Sequence, residues 1–142
     1  MQGIETYSAD DVRETPEGVM VSLEGGIQPV EVAGRYLEAQ FTTDIGDIVF
    51  LTHGILNEEQ LSISLLSEGI AVDYLSMGWP FTQAVLENVE SVEGKVTFCF
   101  PASKSWRLSV SRNLEWRRPM WFTGVSRKRS FQSYFNIEKI GE

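Results

Sequence analysis

One histidine, one cysteine and one close pair of aspartates are the residues of this chain whose types could do catalytic or metal chemistry. His53 ends an apolar stretch just before Gly54. A zinc site built on it would need Cys99 or several carboxylates as further ligands, and neither CxxC nor HExxH occurs. His53 therefore reads as a structural or surface residue. Cys99 alternates outward between Phe98 and Phe100, with no second histidine and no base nearby in sequence to generate a thiolate nucleophile. Asp44 and Asp47, in the string T-D-I-G-D-I, could be imagined as a catalytic or metal-binding pair. Their spacing better fits a hairpin turn in which aspartates bond neighbouring backbone amides. GxSxG, Walker and GxGxxG motifs are absent. The expectation is a protein without metal or cofactor, and not an enzyme.

Charge is the stronger signal, because it is segregated along the chain. Residues 1–93 hold 17 acids against the two bases Arg13 and Arg35, a balance of −15, whereas residues 94–142 hold 10 bases against 3 acids, a balance of +7. Glu58, Glu59, Glu68, Asp73, Glu87, Glu90 and Glu93 fall in turns or on the polar sides of expected strands. A solvated face that keeps a β-rich protein from aggregating would account for them. A docking surface for a cationic protein partner would account for them too, since negative potential speeds encounter and fixes orientation. In the basic third, Arg107, Arg112, Arg117 and Arg118 are interleaved with Trp106, Trp116, Trp121 and Phe122. Arginines with aromatics clamp phosphates and stack bases, so Arg107, Arg112, Trp116, Arg117 and Arg118 form an alternative nucleic-acid surface. The same residue types dominate protein–protein hot spots, and internal pairing with acids on neighbouring strands is a third reading. A net charge of −8 disfavours general binding to nucleic acid or to an anionic membrane.

The elements that must position these groups are strands. Leu61, Ile63 and Leu65 alternate with Ser62 and Ser64, a half-buried period-two pattern. Ser67-Glu68-Gly69 reads as a turn into a strand Ile70–Ser76, with Ile70, Val72 and Tyr74 on one face. Val96, Phe98 and Phe100 form another apolar face, and Trp106, Leu108 and Val110 a further one. Strands are also expected at Val19–Leu23, Tyr36–Thr42, Ile48–His53 and Ser133–Ile140. Glycine turns are expected at Glu24-Gly25-Gly26, Asp44–Asp47 and Glu93-Gly94. A two-residue loop at Glu93-Gly94 would pair Val92 with Lys95 and Val89 with Phe98, leaving Glu90 and Thr97 on the other face. Residues 81–92 satisfy a helical stripe as well, but their β-branched content and this pairing favour strand. Ser8–Glu14 fits one short helix capped by Ser8. The whole reads as one mainly β, antiparallel domain over residues 1–142, a sandwich or strongly curved sheet with at most one or two short helices.

At 142 residues a chain can bury a sizeable core. A single cysteine excludes an internal disulfide framework and fits a reducing compartment. The first residues lack the basic and apolar regions of a signal peptide, and no apolar run approaches the ~18 residues of a transmembrane helix. A cytoplasmic location without membrane attachment follows as an expectation. A small-ligand β-barrel lined by Tyr74, Phe98, Phe100 and Trp106 is a further alternative.

Residues 47–69, DIVFLTHGILNEEQLSISLLSEG, carry a strand ending in a short loop, a Glu-Glu pair, then a Leu-rich strand with Leu-Leu before a turn. Over about residues 44–78 this resembles small bacterial immunity proteins of contact-dependent or other polymorphic toxin systems. The resemblance implies a small, non-enzymatic, cytosolic and acidic protein that blocks a basic toxin domain by charge complementarity and occlusion. On that reading Glu58, Glu59, Glu68, Asp73, Glu87 and Glu90 are the partner-binding candidates.

Overall fold

Period-two stretches become strands wherever the sequence offers them, and short glycine turns fold them back on their neighbours. The computed structural model describes residues 5–6, 9–15, 18–23, 30–32, 34–53, 60–78, 86–100, 104–118, 124–129 and 131–141. Along these run β1 (Glu5–Thr6), β2 (Ala9–Thr15), β3 (Gly18–Leu23), β4 (Val30–Val32), β5 (Tyr36–Thr42), β6 (Asp47–Thr52), β7 (Gln60–Ser67), β8 (Ile70–Gly78), β9 (Glu87–Val92), β10 (Lys95–Cys99), β11 (Ser105–Trp116), β12 (Val125–Arg127) and β13 (Gln132–Gly141). Pairing is antiparallel throughout, in a six-stranded sheet ordered β1-β5-β6-β7-β8-β12, a four-stranded sheet ordered β13-β11-β10-β9 and a three-stranded sheet ordered β2-β3-β4. The described residues contain no helix, and so none long and apolar enough to cross a membrane.

Two hairpins fix the registers. β7 and β8 join through Glu68 (φ 54°) and Gly69 (φ 82°), and β9 and β10 through Glu93 (φ 52°) and Gly94 (φ 78°). Left-handed conformations at both central residues define the type I′ loop, whose twist matches that of the flanking strands. Val92 pairs with Lys95 and Glu90 with Thr97, as the two-residue loop requires.

The main core lies between the six-stranded and four-stranded sheets. Phe41, Ile48, Phe50, Leu61, Ile63, Leu65, Leu75 and Met77 of the first meet Val96, Phe98, Trp106, Leu108, Val110, Phe135 and Ile137 of the second. Phe50 touches Phe41 and Phe98 edge to face, with centroids 5.9 and 5.3 Å away, which places β10 over β6. Trp106 is buried with its indole N–H donating to the Phe100 carbonyl at 2.8 Å, so its polar edge is satisfied. Each fully buried side chain of this size contributes roughly 1.5–3 kcal/mol of transfer free energy.

The other face of the six-stranded sheet is covered as well. Val49, Leu51 and Leu66 pack there with Val32 of β4, and Gln40, Ser62 and Ser64 on the same face are only 2% exposed. The chain crosses closely at Gly34 (φ 124°), where a Cβ would stand 2.5 Å from that of Leu51. β7 is therefore buried on both faces, not half-buried as its leucine–serine alternation implied. Alternation reports which face is apolar, not whether the polar face meets water.

Three other expectations are corrected. The expected helix over Ser8–Glu14 is not found in its described part: Ala9–Thr15 is a strand paired with Gly18–Leu23, and tertiary pairing overrides a local capping signal, Ser8 itself lying outside the described residues. Ile70, Val72 and Tyr74 do not share one face. β8 carries an extra residue between the pairs Leu65↔Asp73 and Leu66↔Ala71, and beyond this bulge Asp73, Leu75 and Met77 point into the core while Tyr74 is exposed. Val89 does not pair one-to-one with Phe98, because β9 is bulged as well. The expected turn at Glu24-Gly25-Gly26 and the ambiguous residues 81–85 lie outside the described residues.

Candidate functional site

The β9 bulge is where the sheet arranges charge. Glu90 pairs with Thr97 and Glu87 with Cys99, so β9 spends Asn88 and Val89 opposite Phe98 alone. Asn88 takes the left-handed conformation (φ 55°) that asparagine tolerates better than most residues. Three positions apart on a regular strand, Glu87 and Glu90 would point to opposite faces. The bulge instead puts them on one face with Thr97 and Cys99, turned away from Val96 and Phe98 of the core. Their stations on the sheet are two partner residues, ~7 Å, apart. Both are exposed, as is Glu93 in the following turn, and no carboxylate of the three is hydrogen-bonded or ion-paired among the described residues.

The remaining acidic candidates do not join them. Glu68 is exposed in the β7–β8 turn, and Glu58 and Glu59 lie outside the described residues. Asp73 is a correction: expected on a polar surface, it is fully buried. Its Oδ2 accepts from the Ser133 hydroxyl at 2.6 Å and the Tyr134 amide at 2.7 Å, and its Oδ1 accepts from the Tyr74 amide at 2.9 Å. Arg129 lies 3.7 Å from Oδ1. Asp73 thus ties β8 of one sheet to β13 of the other and is not part of the acidic surface.

The basic candidates are largely consumed inside the molecule. Arg107 pairs with Glu138 across β11 and β13 at 2.9 Å, and Arg112 with Asp44 in the β5–β6 turn at 3.0 Å. Arg112 reaches that turn because β11 leaves the ladder between Val110↔Phe135 and Glu115↔Ser133. Arg117 turns inward, donating from Nε to the Phe135 carbonyl at 3.2 Å and from Nη2 to the Ser111 hydroxyl at 3.1 Å. Arg127 donates to the same carbonyl at 3.0 Å. Burial, with the neighbouring Arg117 charge added, pushes the Arg127 pKa down, and Asp73 opposes that shift. Of the five nucleic-acid candidates, Trp116 and Arg118 are the ones exposed and uncommitted among the described residues, so Arg107, Arg112, Trp116, Arg117 and Arg118 do not form one free cationic surface. Arg112–Asp44 and Arg129–Asp73 join the basic part of the sequence to the acidic part, which is the internal pairing the sequence left open.

The chemically suggestive residues make local side-chain contacts. His53 Nε2 lies 2.8 Å from the Ser62 hydroxyl. The Cys99 sulfur has the Ser105 hydroxyl at 3.4 Å and the Asn88 amide at 3.8 Å. In the β5–β6 turn it is Thr43 whose hydroxyl accepts from the Ile45 and Gly46 amides, both at 3.1 Å, while Asp47 accepts from Thr42 at 2.7 Å. The aspartates were the expected caps, and threonine holds that place. Among the described residues no group of three or more His, Cys, Asp or Glu could hold a metal ion. Phe98, Phe100 and Trp106 are packed in the core while Tyr74 is exposed at the surface, so these four do not line one ligand pocket.

Sequence reasoning named Glu87 and Glu90 but not their alignment. The available signal was the odd spacing in E-N-V-E with an asparagine able to take positive φ. No protein-family model, no curated protein and no solved structure matches the chain.

Proposed function

We propose that the protein is a non-enzymatic binding protein that docks on a cationic protein partner through the β9 edge of its four-stranded sheet. The observation that carries this reading is the pair Glu87 and Glu90, exposed, unpaired among the described residues and brought to one face by a bulge that sets a non-glycine residue at positive φ. Two like charges at that spacing repel, and a left-handed asparagine adds conformational cost. A sequence selected only for solubility could spread the same charges over opposite faces. Bulges re-aim side chains, and here the re-aiming builds a short acidic strip at a sheet edge.

Such a strip works by field and occlusion. Opposite potential raises the encounter rate and orients the approach, and the bound sheet edge then covers the partner's basic surface. The resemblance of residues 44–78 to bacterial immunity proteins supports reading the partner as a basic toxin domain, with inhibition as the outcome. The test is charge reversal. Tagged wild-type protein and the Glu87→Lys/Glu90→Lys variant are exposed to host extract at low and moderate salt, and retained proteins are identified by mass spectrometry. A basic protein held by the wild type and lost from the variant is the expected result; equal retention by both would falsify the placement.

A further inference from the structure

We infer that Trp116, with Arg118 beside it, is the desolvated anchor of the docking interface whose steering charges are Glu87 and Glu90. This rests on the docking reading above and adds the residue that would hold the partner once it arrives. Register carries the argument. Ser133 and Phe135 of β13 point into the core, so Gln132 points outward, and Trp116 pairs with Gln132. Glu90, Thr97, Arg107 and Glu138 form one row across the same outward face. Six residues separate Glu138 from Gln132 along β13, about 20 Å, and two strand spacings separate β9 from β11, about 10 Å. Trp116 is then ~22 Å from Glu90, within the ~30 Å breadth of a patch burying about 800 Å² per partner.

The exposure of this indole is unexplained by the fold. Trp116 is 67% exposed although the chain buries Trp106 almost completely. Arg118, two positions along and just past the end of β11, is exposed and has no partner among the described residues, whereas Arg107, Arg112 and Arg117 are all engaged. The face is also an open one. The six-stranded sheet has its inner face in the core and its opposite face buried at Gln40, Ser62 and Ser64. Tryptophan and arginine are the residues enriched at binding hot spots, where truncation costs enough to speed dissociation greatly. The occupant is a basic protein that offers cationic side chains to Glu87 and Glu90 and an apolar recess with a carboxylate at its rim to Trp116 and Arg118.

The two parts of the interface separate kinetically, since rim charges act on association and buried anchors on dissociation. The basic protein retained from host extract is purified, and its binding to wild type, Glu87→Lys/Glu90→Lys, Trp116→Ala and Trp116→Phe is followed by biolayer interferometry. Trp116→Ala is expected to raise the dissociation rate at least about 30-fold while changing the association rate less than ~2-fold, with Trp116→Phe in between. The double reversal is expected to slow association at low salt and lose that effect at high salt. Because Trp116 is exposed, all variants keep the unfolding midpoint of the wild type. If no basic protein is retained by the wild type, the docking reading and the anchor fall together. If one is retained and the double reversal slows it, but Trp116→Ala dissociates at the wild-type rate, the anchor alone is wrong. Fluorescein-labelled oligothymidylate bound by the wild type and lost in Trp116→Ala would overturn the protein occupant in favour of nucleic acid.

Discussion

Replacing Asp73 by asparagine changes one atom and tests whether the two sheets are tied together as the structure has it. Both carboxylate oxygens accept: Oδ2 from the Ser133 hydroxyl and the Tyr134 amide, Oδ1 from the Tyr74 amide. Asparagine has one acceptor and one donor end, so in either orientation its NH₂ faces a backbone N–H that cannot reverse. Ser133 can rotate its hydroxyl, but its oxygen already accepts from the Phe135 amide at 2.9 Å. Hydrogen bonds to a charged group contribute about 1.5–3 kcal/mol, and a buried donor left unmet costs about 1–3 kcal/mol. Arg129 adds little, because its contact is long and its side chain is 36% exposed. Asp73→Asn is therefore expected to destabilise by about 2–3 kcal/mol, and Asp73→Ala, which also leaves a hole, by about 3–5 kcal/mol. For a chain this size the asparagine variant should lose roughly 6–10 °C of Tm. Urea unfolding followed by tryptophan fluorescence gives the number, with an unchanged m value showing that the folded state is the same. Exposed Glu68→Gln is the control, expected within about 0.5 kcal/mol of wild type. An asparagine variant as stable as that control would refute the buried-staple account and return Asp73 to the surface.

Three further outcomes are expected from the same unfolding assay. Gln40 is 2% exposed and neither end of its amide is hydrogen-bonded among the described residues, so Gln40→Leu should stabilise by about 1–2 kcal/mol, and a loss of stability would mean the amide has a partner. Gly34→Ala should cost at least about 2 kcal/mol, because φ is 124° and the new Cβ would stand 2.5 Å from Leu51 Cβ; a neutral substitution would show that the chain does not cross β6 so closely. The Asp44–Arg112 pair is largely solvent-exposed on the arginine side, so a double-mutant cycle should give about 0.2–1 kcal/mol, shrinking with salt. A coupling that ignores salt would count against that geometry.

The fold was legible in the sequence to the extent that periodicity and glycine turns decide it. Tyr36–Thr42 is a strand over the expected residues, the Glu68-Gly69 turn falls where a turn was expected, and Gly94 takes the positive φ expected of its loop, whereas Gly46 of the Asp44–Asp47 turn does not. Bulges were not legible, since one extra residue changes which side chains share a face without disturbing the apolar count. That is how Asp73 came to be read as a surface acid and Ile70, Val72 and Tyr74 as one face. Nor could alternation reveal that Ser62 and Ser64 are covered, because a covering strand such as β4 is a tertiary fact. β4 and β12, at three residues each, are too short to show a period.

Charge segregation along a chain is a weaker statement than charge segregation in space, and the ion pairs show why. Asp44 and Asp73 of the acidic part meet Arg112 and Arg129 of the basic part, while Arg107 and Arg117 find Glu138 and Glu115 within their own part. An antiparallel fold brings distant segments side by side, so a sequence imbalance is partly cancelled on folding. What is left uncancelled is informative in proportion to what it costs. Glu68 lies in a turn whose geometry any polar residue could serve, and its exposure needs no partner to explain it. Glu87 and Glu90 are different: a regular β9 would have separated them, and the fold instead sets Asn88 at positive φ and holds two repelling carboxylates on one face. A local arrangement that works against stability, at the edge of a sheet face that also presents an exposed tryptophan, is what the proposed docking on a partner would account for.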